Sequence, residues 1–270
     1  MNPASISLPT PTPSYGYSRK HRAVEALCIA AVFGFLVAFC VQVPRTLHTT
    51  AGWVTLALTG LAAYIAADIV SGVVHWGGDT LGHERVWFLG PNFIRPFREH
   101  HVDQKAITRH DFIETNGNNC IVVLGPLGLA FFLMPDDASI GFFASSFVAF
   151  LALFVVATNQ FHKWAHADKP PAFARPLQRW GLILSPRHHE IHHTVPHHKH
   201  YCITVGWMNP ILNGVHFFRA AEWLIARVRP TWLHIEERTL FAAQQAAAAL
   251  ATKADAAAGV NSPDRSAPSH

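Results

Sequence analysis

The chain has 270 residues, of which 14% are charged and 50% are hydrophobic, and its formal net charge at pH 7 is +4. Soluble domains carry about 25% charged residues, so this composition excludes an ordinary soluble enzyme and indicates a membrane protein. The basic excess suits contact with acidic lipid head groups. No basic patch is interleaved with aromatic residues, so the charge does not indicate a nucleic-acid partner.

The two ends of the chain are predicted to lie outside the folded domain. Residues 1–18 are rich in Pro, Ser and Thr, which predicts a disordered N-terminal tail. Residues 240–270 are predicted to form a helix from Leu240 to Ala258 and then a second disordered tail. A membrane domain is accordingly predicted for residues 19–239.

Four apolar segments are candidates for membrane-spanning helices. A helix needs about 20 apolar residues to cross a bilayer. The candidates run from about Val24 to Val43, Gly52 to Val70, Cys120 to Met134 and Ile140 to Thr158. Because the third segment is short, a re-entrant or buried helix is its alternative. The predicted fold class is therefore all-α, a multi-pass integral membrane bundle of about four transmembrane helices.

The basic residues predict how this bundle is oriented, because Lys and Arg favour the cytoplasmic side of a membrane. Arg19, Lys20 and Arg22 precede the first segment, five more lie between the second and third, and the remainder follow the fourth. Only Arg45 departs from the pattern. Both chain ends are then cytoplasmic, at the inner membrane if the chain is bacterial. The histidine groups fall on that face and form a cytoplasmic histidine-rich cap.

These histidines are grouped along the chain. Ser185 and Pro186 are typical of an N-cap and a first helical residue, so they predict a helix that begins there. In such a helix the rings of His189, His192 and His193 share one face. Three further groups are the pair His162 and His166, the adjacent His100 and His101, and a helical stripe of Asp68, Gly72, His75 and Asp79.

Clustered histidines predict a metal site, because neutral imidazole is a common ligand of iron, zinc and copper and protonated rings would repel one another. Eight are strong candidates, which is too many for one ion: His75, His100, His101, His162, His166, His189, His192 and His193. The four cysteines are scattered and form no C-x-x-C pair. Two non-haem irons suit this ligand set better than a zinc ribbon or an iron–sulfur cluster.

Longer motifs around these histidines resemble known enzymes. The segment from His189 to Pro196 is similar to the H-x-x-H-H-T-x-P box of membrane fatty-acid desaturases. More closely, the chain resembles the plasmanylethanolamine desaturase family, also called Kua, over roughly Ala62 to Asn213. The motifs that carry this resemblance are Asp68–Trp76, Ile94–His101, Ile107–Gly117, Thr158–His166 and Cys202–Asn209.

The resemblance implies an O2-dependent membrane lipid desaturase with two non-haem iron ions. Such an enzyme forms the vinyl-ether (C1=C2) double bond of plasmalogens from plasmanyl (1-O-alkyl) ethanolamine phospholipids, with O2 as co-substrate. Its implied partners are the alkyl-ether phosphatidylethanolamine substrate and an electron donor, cytochrome b5 or ferredoxin. The expected catalytic residues are the eight candidate histidines. The expected metal ligands are His75, Asp79, His100, His101, His162, His166, His189, His192, His193 and His197.

Departures from the wider desaturase pattern leave several roles open. The first box reads His75-x3-Asp79, so Asp79 is either a carboxylate ligand or a hydrogen-bond partner of a ligand. Direct ligation and an indirect role are both open for His110 and His197. In the middle box, Phe97 replaces the first histidine. Nearby, Glu114 is the best candidate for a supporting carboxylate, whereas Asn116–Asn119 predicts a turn.

Substrate and donor contacts are predicted from the neighbouring side chains. A dry slot for the lipid chain is expected near the aromatic residues Trp76, Phe97, Phe112 and Trp164, although packing alone explains each of them. Four basic residues either hold the lipid phosphate, dock an acidic electron donor or only reflect the membrane topology: Arg95, Arg98, Lys105 and Arg109.

Other functions fit parts of the same pattern. One is an acyl-lipid desaturase that acts on another phospholipid such as phosphatidylglycerol, and another is a hydroxylase or zinc hydrolase on the same scaffold. A histidine-rich membrane metal transporter or sensor belongs to a different class. Transport requires ionisable groups within the spans, and the first, third and fourth segments carry few. The sequence predicts no oligomeric state.

Overall fold

A computed structural model describes residues 18–83, 86 and 90–234 of the chain. These residues form ten α-helices: α1 (Arg19–Thr46), α2 (Thr50–Thr80), α3 (Arg95–Val102), α4 (Ala106–Arg109), α5 (Phe112–Phe132), α6 (Ile140–His166), α7 (Ala174–Arg179), α8 (Pro186–His193), α9 (Asn209–Gly214) and α10 (Phe217–Val228). A π-helical turn, Gly90–Ile94, precedes α3, and a short 3-10 helix, Pro230–Trp232, follows α10. The predicted all-α class is confirmed. Apart from Ser18, the two predicted tails lie outside the described residues.

Three of the described helices, α1, α2 and α6, are long and apolar enough to cross a membrane. They contain the first, second and fourth predicted segments. The third predicted segment, Cys120 to Met134, overlaps the second half of α5, whose first half contains Asn116, Asn118 and Asn119. The fourth transmembrane helix stays a prediction, and so does its alternative, a re-entrant or buried helix.

One compact unit consists of the described part of Met1–Tyr64 together with Arg109–Gln160. Its core is formed by buried apolar side chains that include Val32, Phe39, Leu127, Phe142 and Val156. The helices α1 and α5 approach closely where α5 has no side chain, since a Cβ atom on Gly117 would lie 2.5 Å from Glu25 Cβ. This carboxylate is buried and lies 3.2 Å from His21 Nε2. The first predicted span thus contains a buried carboxyl group beside an imidazole.

The predicted turn at Asn116–Asn119 is wrong, because α5 runs through all four residues. Asn116 donates its side-chain amide to the carbonyl of Phe112 at 2.8 Å, and Asn119 donates to the carbonyl of Val155 in α6 at 2.8 Å. Turn propensity reflects local hydrogen bonding of such side chains. Here their amides are satisfied by helical backbone, so the helix continues.

The second compact unit consists of Ile65–Thr108 and the described part of Phe161–His270. It contains the C-terminal half of α2, the last turn of α6 and the short helices α3, α4 and α7 to α10. A small apolar cluster packs the end of α2 against α9, α10 and the loop before them: Trp76, Tyr201, Cys202, Leu212 and Phe218. A backbone bridge between Leu81 and Leu233 ties the segment after α10 to the same end of α2.

Candidate metal centre

All ten predicted metal ligands lie in the second unit, and each is at most 8% exposed. Helix α2 supplies His75 and Asp79, α3 supplies His100 and His101, α6 supplies His162 and His166, α8 supplies His189, His192 and His193, and the following loop supplies His197. Their donor atoms form three overlapping groups, within each of which all donor atoms lie within 4.8 Å of one another. Helices distant in sequence thus place their ligand atoms together.

The local chemistry of α8 explains how its three histidines are placed. Ser185 is extended, its hydroxyl accepts a hydrogen bond from the backbone N–H of His188 at 3.3 Å, and Pro186 is the first helical residue. The predicted N-cap and helix start are confirmed. Because the helix then runs to His193, the rings of His189, His192 and His193 are buried on one side.

The largest set of donor atoms, the imidazole group, consists of His100, His162, His166, His189 and His193. The Nε2 atoms of His162 and His189 are 2.8 Å apart, those of His100 and His193 are 2.9 Å apart, and those of His100 and His162 are 3.0 Å apart. Metal–nitrogen bonds of about 2.0–2.1 Å place adjacent ligand atoms roughly 3.0–3.4 Å apart. These five nitrogens are therefore spaced like the ligands of one ion.

A second set, the carboxylate group, consists of His75, Asp79, His101 and His192. Asp79 Oδ1 lies 3.1 Å from His101 Nε2, and Asp79 Oδ2 lies 3.4 Å from His192 Nε2 and 3.6 Å from His75 Nε2. One carboxylate is thus surrounded by three imidazoles. His197 forms the third set with His101 and His193, so it connects the two larger groups.

Backbone carbonyls orient three of the rings. The Nδ1–H groups of His75, His192 and His197 donate to the carbonyls of Tyr201, Lys199 and His192, at 3.1, 3.0 and 3.1 Å. A ring that donates from Nδ1 carries its free lone pair on Nε2, which is the usual arrangement of a metal-bound histidine. The loop after α8 therefore aims these rings at the donor groups.

The ligand set fits a metal, because it contains buried polar atoms that have no other partner. Within the described residues, the Nε2 atoms of His75, His192 and His197 are buried without a hydrogen-bond partner. Leaving such atoms unsatisfied is costly in a protein interior. None of the four cysteines belongs to the donor groups found among the described residues. Nine imidazoles and one carboxylate therefore define the candidate centre.

Burial also keeps the rings in the protonation state that binds a metal. It lowers the pKa of His100, His189 and His193 below the ordinary value of 6.5, and neighbouring imidazoles lower it further. For His197, burial lowers the pKa to about 4. These histidines are accordingly neutral near pH 7, with a lone pair available for coordination.

The loop that contains Lys199 and Tyr201 is fixed to α2 by a carboxylate that lies outside the donor groups. Asp68 Oδ1 accepts hydrogen bonds from the backbone N–H groups of Val205 and Gly206 at 2.9 and 2.8 Å, and Oδ2 accepts one from Met208 at 3.0 Å. The sequence stripe grouped Asp68 with His75 and Asp79. In the structure Asp68 binds backbone amides, and it belongs to none of the donor groups.

Two further residues contact the loop at Cys202. A Cβ atom on Gly72 would lie 2.5 Å from Cys202 Sγ, so only glycine leaves room for this contact. The Asn209 side chain accepts from the N–H of Cys202 at 2.8 Å and donates to its carbonyl at 2.9 Å. Sequence reasoning assigned no role to Asn209. The sequence feature that could have indicated a role for Asn209 is the motif Cys202–Asn209, because the two hydrogen-bonded residues stand at its ends.

Other predicted residues are not members of the donor groups. Glu114 Oε1 lies 3.7 Å from His110 Nε2 in the first unit, and both side chains are partly exposed. Neither residue belongs to a donor group. Phe112, expected to line a lipid slot, is 49% exposed. The supporting role of Glu114 and the slot position of Phe112 therefore stay predictions.

The aromatic residue that replaces a box histidine is close to the centre. The Phe97 ring centroid lies 5.2 Å from that of His75, and the ring packs on Gly78, where a Cβ atom would approach it to 2.7 Å. Trp76 is buried and donates to Glu222 at 3.2 Å, whereas Trp164 packs beside Phe173. Phe97 thus fills space beside the carboxylate group.

Arg98 and Lys105 are among the predicted basic residues that make internal contacts. Arg98 donates to the carbonyl of Gly82 at 2.9 Å. Lys105 Nζ donates to the carbonyl of His166 at 2.7 Å and pairs with Asp168. The hydrogen bond from Lys105 to His166 holds the end of α6, where two of the predicted ligands lie. Structural roles therefore account for Arg98 and Lys105 without a lipid or a protein partner.

Fold and site together define an all-α membrane protein with a buried cluster of histidine and carboxylate side chains that could hold a metal. The lipid desaturase domain family matches residues 64–231. The chain belongs to this family, and it is therefore a lipid-desaturating oxidoreductase. The match confirms the resemblance found in the sequence motifs.

Several relatives share much of the sequence. Plasmanylethanolamine desaturase of Myxococcus xanthus is 51% identical over 210 residues, which cover 78% of this chain and 74% of the relative. Mouse plasmanylethanolamine desaturase 1 is 46% identical over 61% of this chain and 63% of its own length. The chloroplastic fatty acid desaturase 4 of Arabidopsis thaliana is 38% identical over 62% of this chain and 50% of its own length. No solved structure matches the chain.

Proposed function

We propose that this chain forms the vinyl-ether double bond of plasmalogens from 1-O-alkyl ethanolamine phospholipids, using two non-haem irons. The observation that carries the proposal is the convergence of ten buried ligand residues into overlapping donor groups. The 51% identity to the Myxococcus xanthus plasmanylethanolamine desaturase supports the choice of lipid. The ligand roles of the ten residues are part of this proposal.

The proposed reaction removes one hydrogen from C1 and one from C2 of the alkyl chain, beside the ether oxygen. O2 accepts the two electrons released from the substrate and two more from a donor protein such as cytochrome b5 or ferredoxin. With two protons from the substrate and two from solvent, this yields two waters. Iron held by the donor groups would supply the oxidising power for this chemistry.

The chain itself supplies a rigid and water-poor site. The imidazole group and the carboxylate group would each hold one ion, and Asp79 would offset part of its charge. The carbonyls of Lys199 and Tyr201 would keep the rings of His192 and His75 in one orientation. Tyr201 is itself fully buried, which helps to exclude water from this side of the centre.

The proposed location is a multi-pass position in the membrane with the centre at the cytoplasmic face. Two candidate spans, α2 and α6, each end in residues of the donor groups. The distribution of Lys and Arg supports placing those ends on the cytoplasmic side. The lipid chain would then reach the centre from the adjoining leaflet.

Expression in a plasmalogen-free host that is fed alkyl-ether lipid tests the function. We expect acid-labile vinyl ethers, measured by mass spectrometry, from the natural chain and from Glu190→Ala, whose side chain is exposed. We expect none from His192→Ala. Acyl desaturation without vinyl ether would instead favour an acyl-lipid desaturase, the function that the relationship to the Arabidopsis protein supports. Metal retention without any lipid oxidation would favour a transporter or sensor.

A further inference from the structure

A cavity of about 260 Å³ opens between the loop after α8 and the helices α9 and α10. Four of its lining residues are of basic types: His198, Lys199, His216 and Arg219. Asn213 adds a neutral amide, and no acidic side chain lies among the described residues of the lining. Because its permanent charges are both positive, the cavity favours an anion.

Apolar groups complete the cavity and continue beyond it. Leu212 and Phe218 contribute apolar lining inside. Outside, Val215 and Phe217 neighbour the lining residues in sequence and are 65% and 42% exposed. Drug-sized ligands occupy pockets of about 300–1,000 Å³, so this smaller cavity suits a head group rather than a whole lipid. A charged group inside with an apolar chain along the rim describes an amphiphile better than free phosphate.

The cavity shares a backbone segment with the candidate metal centre. Lys199 lines the cavity, and its carbonyl accepts the Nδ1–H of His192 at 3.0 Å. Phe218 also lines the cavity and packs on Tyr201, with 4.8 Å between ring centroids. The carbonyl of Tyr201 accepts from His75. One segment of chain therefore orients metal ligands and also borders the cavity.

The backbone around the cavity is held in an unusual conformation. Three non-glycine residues have positive φ angles, namely His197 at 58°, His200 at 62° and His216 at 53°. Such conformations are unfavourable for residues with side chains and concentrate at ligand sites. Two of the three flank Lys199, and the third lines the cavity itself.

We infer that this cavity binds the phosphate of the phospholipid substrate through Lys199 and Arg219. The identity of the lipid rests on the proposed function. About six covalent bonds separate the phosphorus from C1 of the alkyl chain, a span of roughly 8 Å at backbone-like bond lengths. When the phosphate lies beside Lys199, the reacting carbons have only a short distance to span to the metal ligands, because the same backbone segment orients His192. Because no carboxylate lies among the described lining residues, the cavity recognises the phosphate and not the ethanolamine ammonium.

Native mass spectrometry of the purified full-length protein in detergent tests this inference. The probes are diacyl phosphatidylethanolamine, which has no alkyl ether to oxidise, and phosphate-free diacylglycerol. For the double variant Lys199→Gln with Arg219→Gln, we expect at least tenfold weaker binding of the phospholipid, because two charge-assisted contacts are lost. Diacylglycerol binding and iron content should not change. Arg227→Gln is the matched control, since Arg227 is exposed on α10 and covers Trp223 outside the cavity.

Variants that preserve the positive charge distinguish a loss of lipid recognition from a loss of folding. Lys199→Arg with Arg219→Lys should retain phospholipid binding, and added inorganic phosphate should displace the lipid from the natural chain. Equal phospholipid binding by the double glutamine variant, or an equal loss in Arg227→Gln, would overturn the inference. Tight binding of inorganic phosphate without binding of phospholipid would also overturn it. Because the probe lipid does not react, an inactive enzyme that still binds it through these residues would refute only the proposed function.

Discussion

The imidazole group and the carboxylate group use the same ligand type but are held in different ways. In the carboxylate group, the Nδ1–H groups of His75 and His192 donate to loop carbonyls, and Asp79 contributes a negative charge. In the imidazole group, the Nδ1 atoms of His100, His189 and His193 are buried without a hydrogen-bond partner within residues 18–83, 86 and 90–234. These three rings thus lack the Nδ1 hydrogen bonds that orient His75 and His192.

This difference predicts two unequal metal sites. A carboxylate offsets part of the charge of a divalent ion in a buried site, and hydrogen bonds to ligand rings raise metal affinity. The imidazole group has five rings, so it offers more ligands but no compensating charge. We therefore expect the carboxylate group to hold its ion more tightly.

The largest effect is expected when one ligand is removed from either group. His189→Ala in the imidazole group and His192→Ala in the carboxylate group should each lower desaturation by at least about 100-fold, the upper end of what an outer partner of a metal ligand contributes. Each should also lower the iron content towards one ion per chain, measured by elemental analysis. Glu190→Ala is the control, because Glu190 lies between these two histidines in the sequence and its side chain is exposed. Undiminished activity in either variant would refute the ligand role of that residue.

Asp79→Asn tests the charge that separates the two groups. The variant should weaken binding of one iron by about 10- to 100-fold and leave the other unchanged, because only one group contains a carboxylate. Titration with a chelator, followed by iron analysis, measures both affinities. Two irons held as tightly as in the natural chain would instead mark Asp79 as a hydrogen-bond partner of its histidines.

Acid should destabilise the metal-free protein. The pKa of His100, His189 and His193 is lowered by burial, whereas an unfolded chain binds protons near pH 6.5. The stability contributed by the neutral rings is thus complete above about pH 6.5 and is lost as the pH falls. For His197, with a pKa of about 4, the loss extends from about pH 6.5 to about 4.

Thermal unfolding between pH 7 and pH 4 measures this loss. The melting temperature of the metal-free protein should fall steadily below pH 6.5. Bound iron should move the decline to lower pH, because the metal competes with protons for the same nitrogens. A melting temperature that stayed constant or rose on acidification would contradict the assignment of buried neutral rings.

The smallest effect is expected for the carboxylate that holds the loop. Asp68→Asn keeps one oxygen for Val205 and Gly206 but leaves the N–H of Met208 without its acceptor, at a cost of about 1–3 kcal/mol. The melting temperature should fall by several degrees. Iron should be lost more readily from the carboxylate group than from the imidazole group, since only the former depends on this loop. Equal loss from both would contradict the comparison.

Local chemistry made part of this architecture predictable. Ser185 and Pro186 specify the start of α8 from adjacent residues, and helical spacing then places His189, His192 and His193 on one side. The apolar segments likewise predicted the three candidate spans. These features depend on residues near one another in the sequence, so a single sequence contains what they need.

The remaining features depend on distant partners. Asp68 accepts hydrogen bonds from backbone amides that lie 137 to 140 residues after it in the chain. The carbonyl that orients His75 lies 126 residues after that histidine. Backbone groups leave no residue-type signal. Asn116 and Asn119 were wrongly predicted to form a turn because their partners are helical carbonyls, which local propensity does not register.

Mössbauer spectroscopy of the purified protein, grown with iron-57, tests the central claim most directly. Two donor groups with different ligands predict two irons per chain in two distinguishable environments, one of which changes in Asp79→Asn. A single iron, a bound zinc in its place or two identical environments would contradict the account.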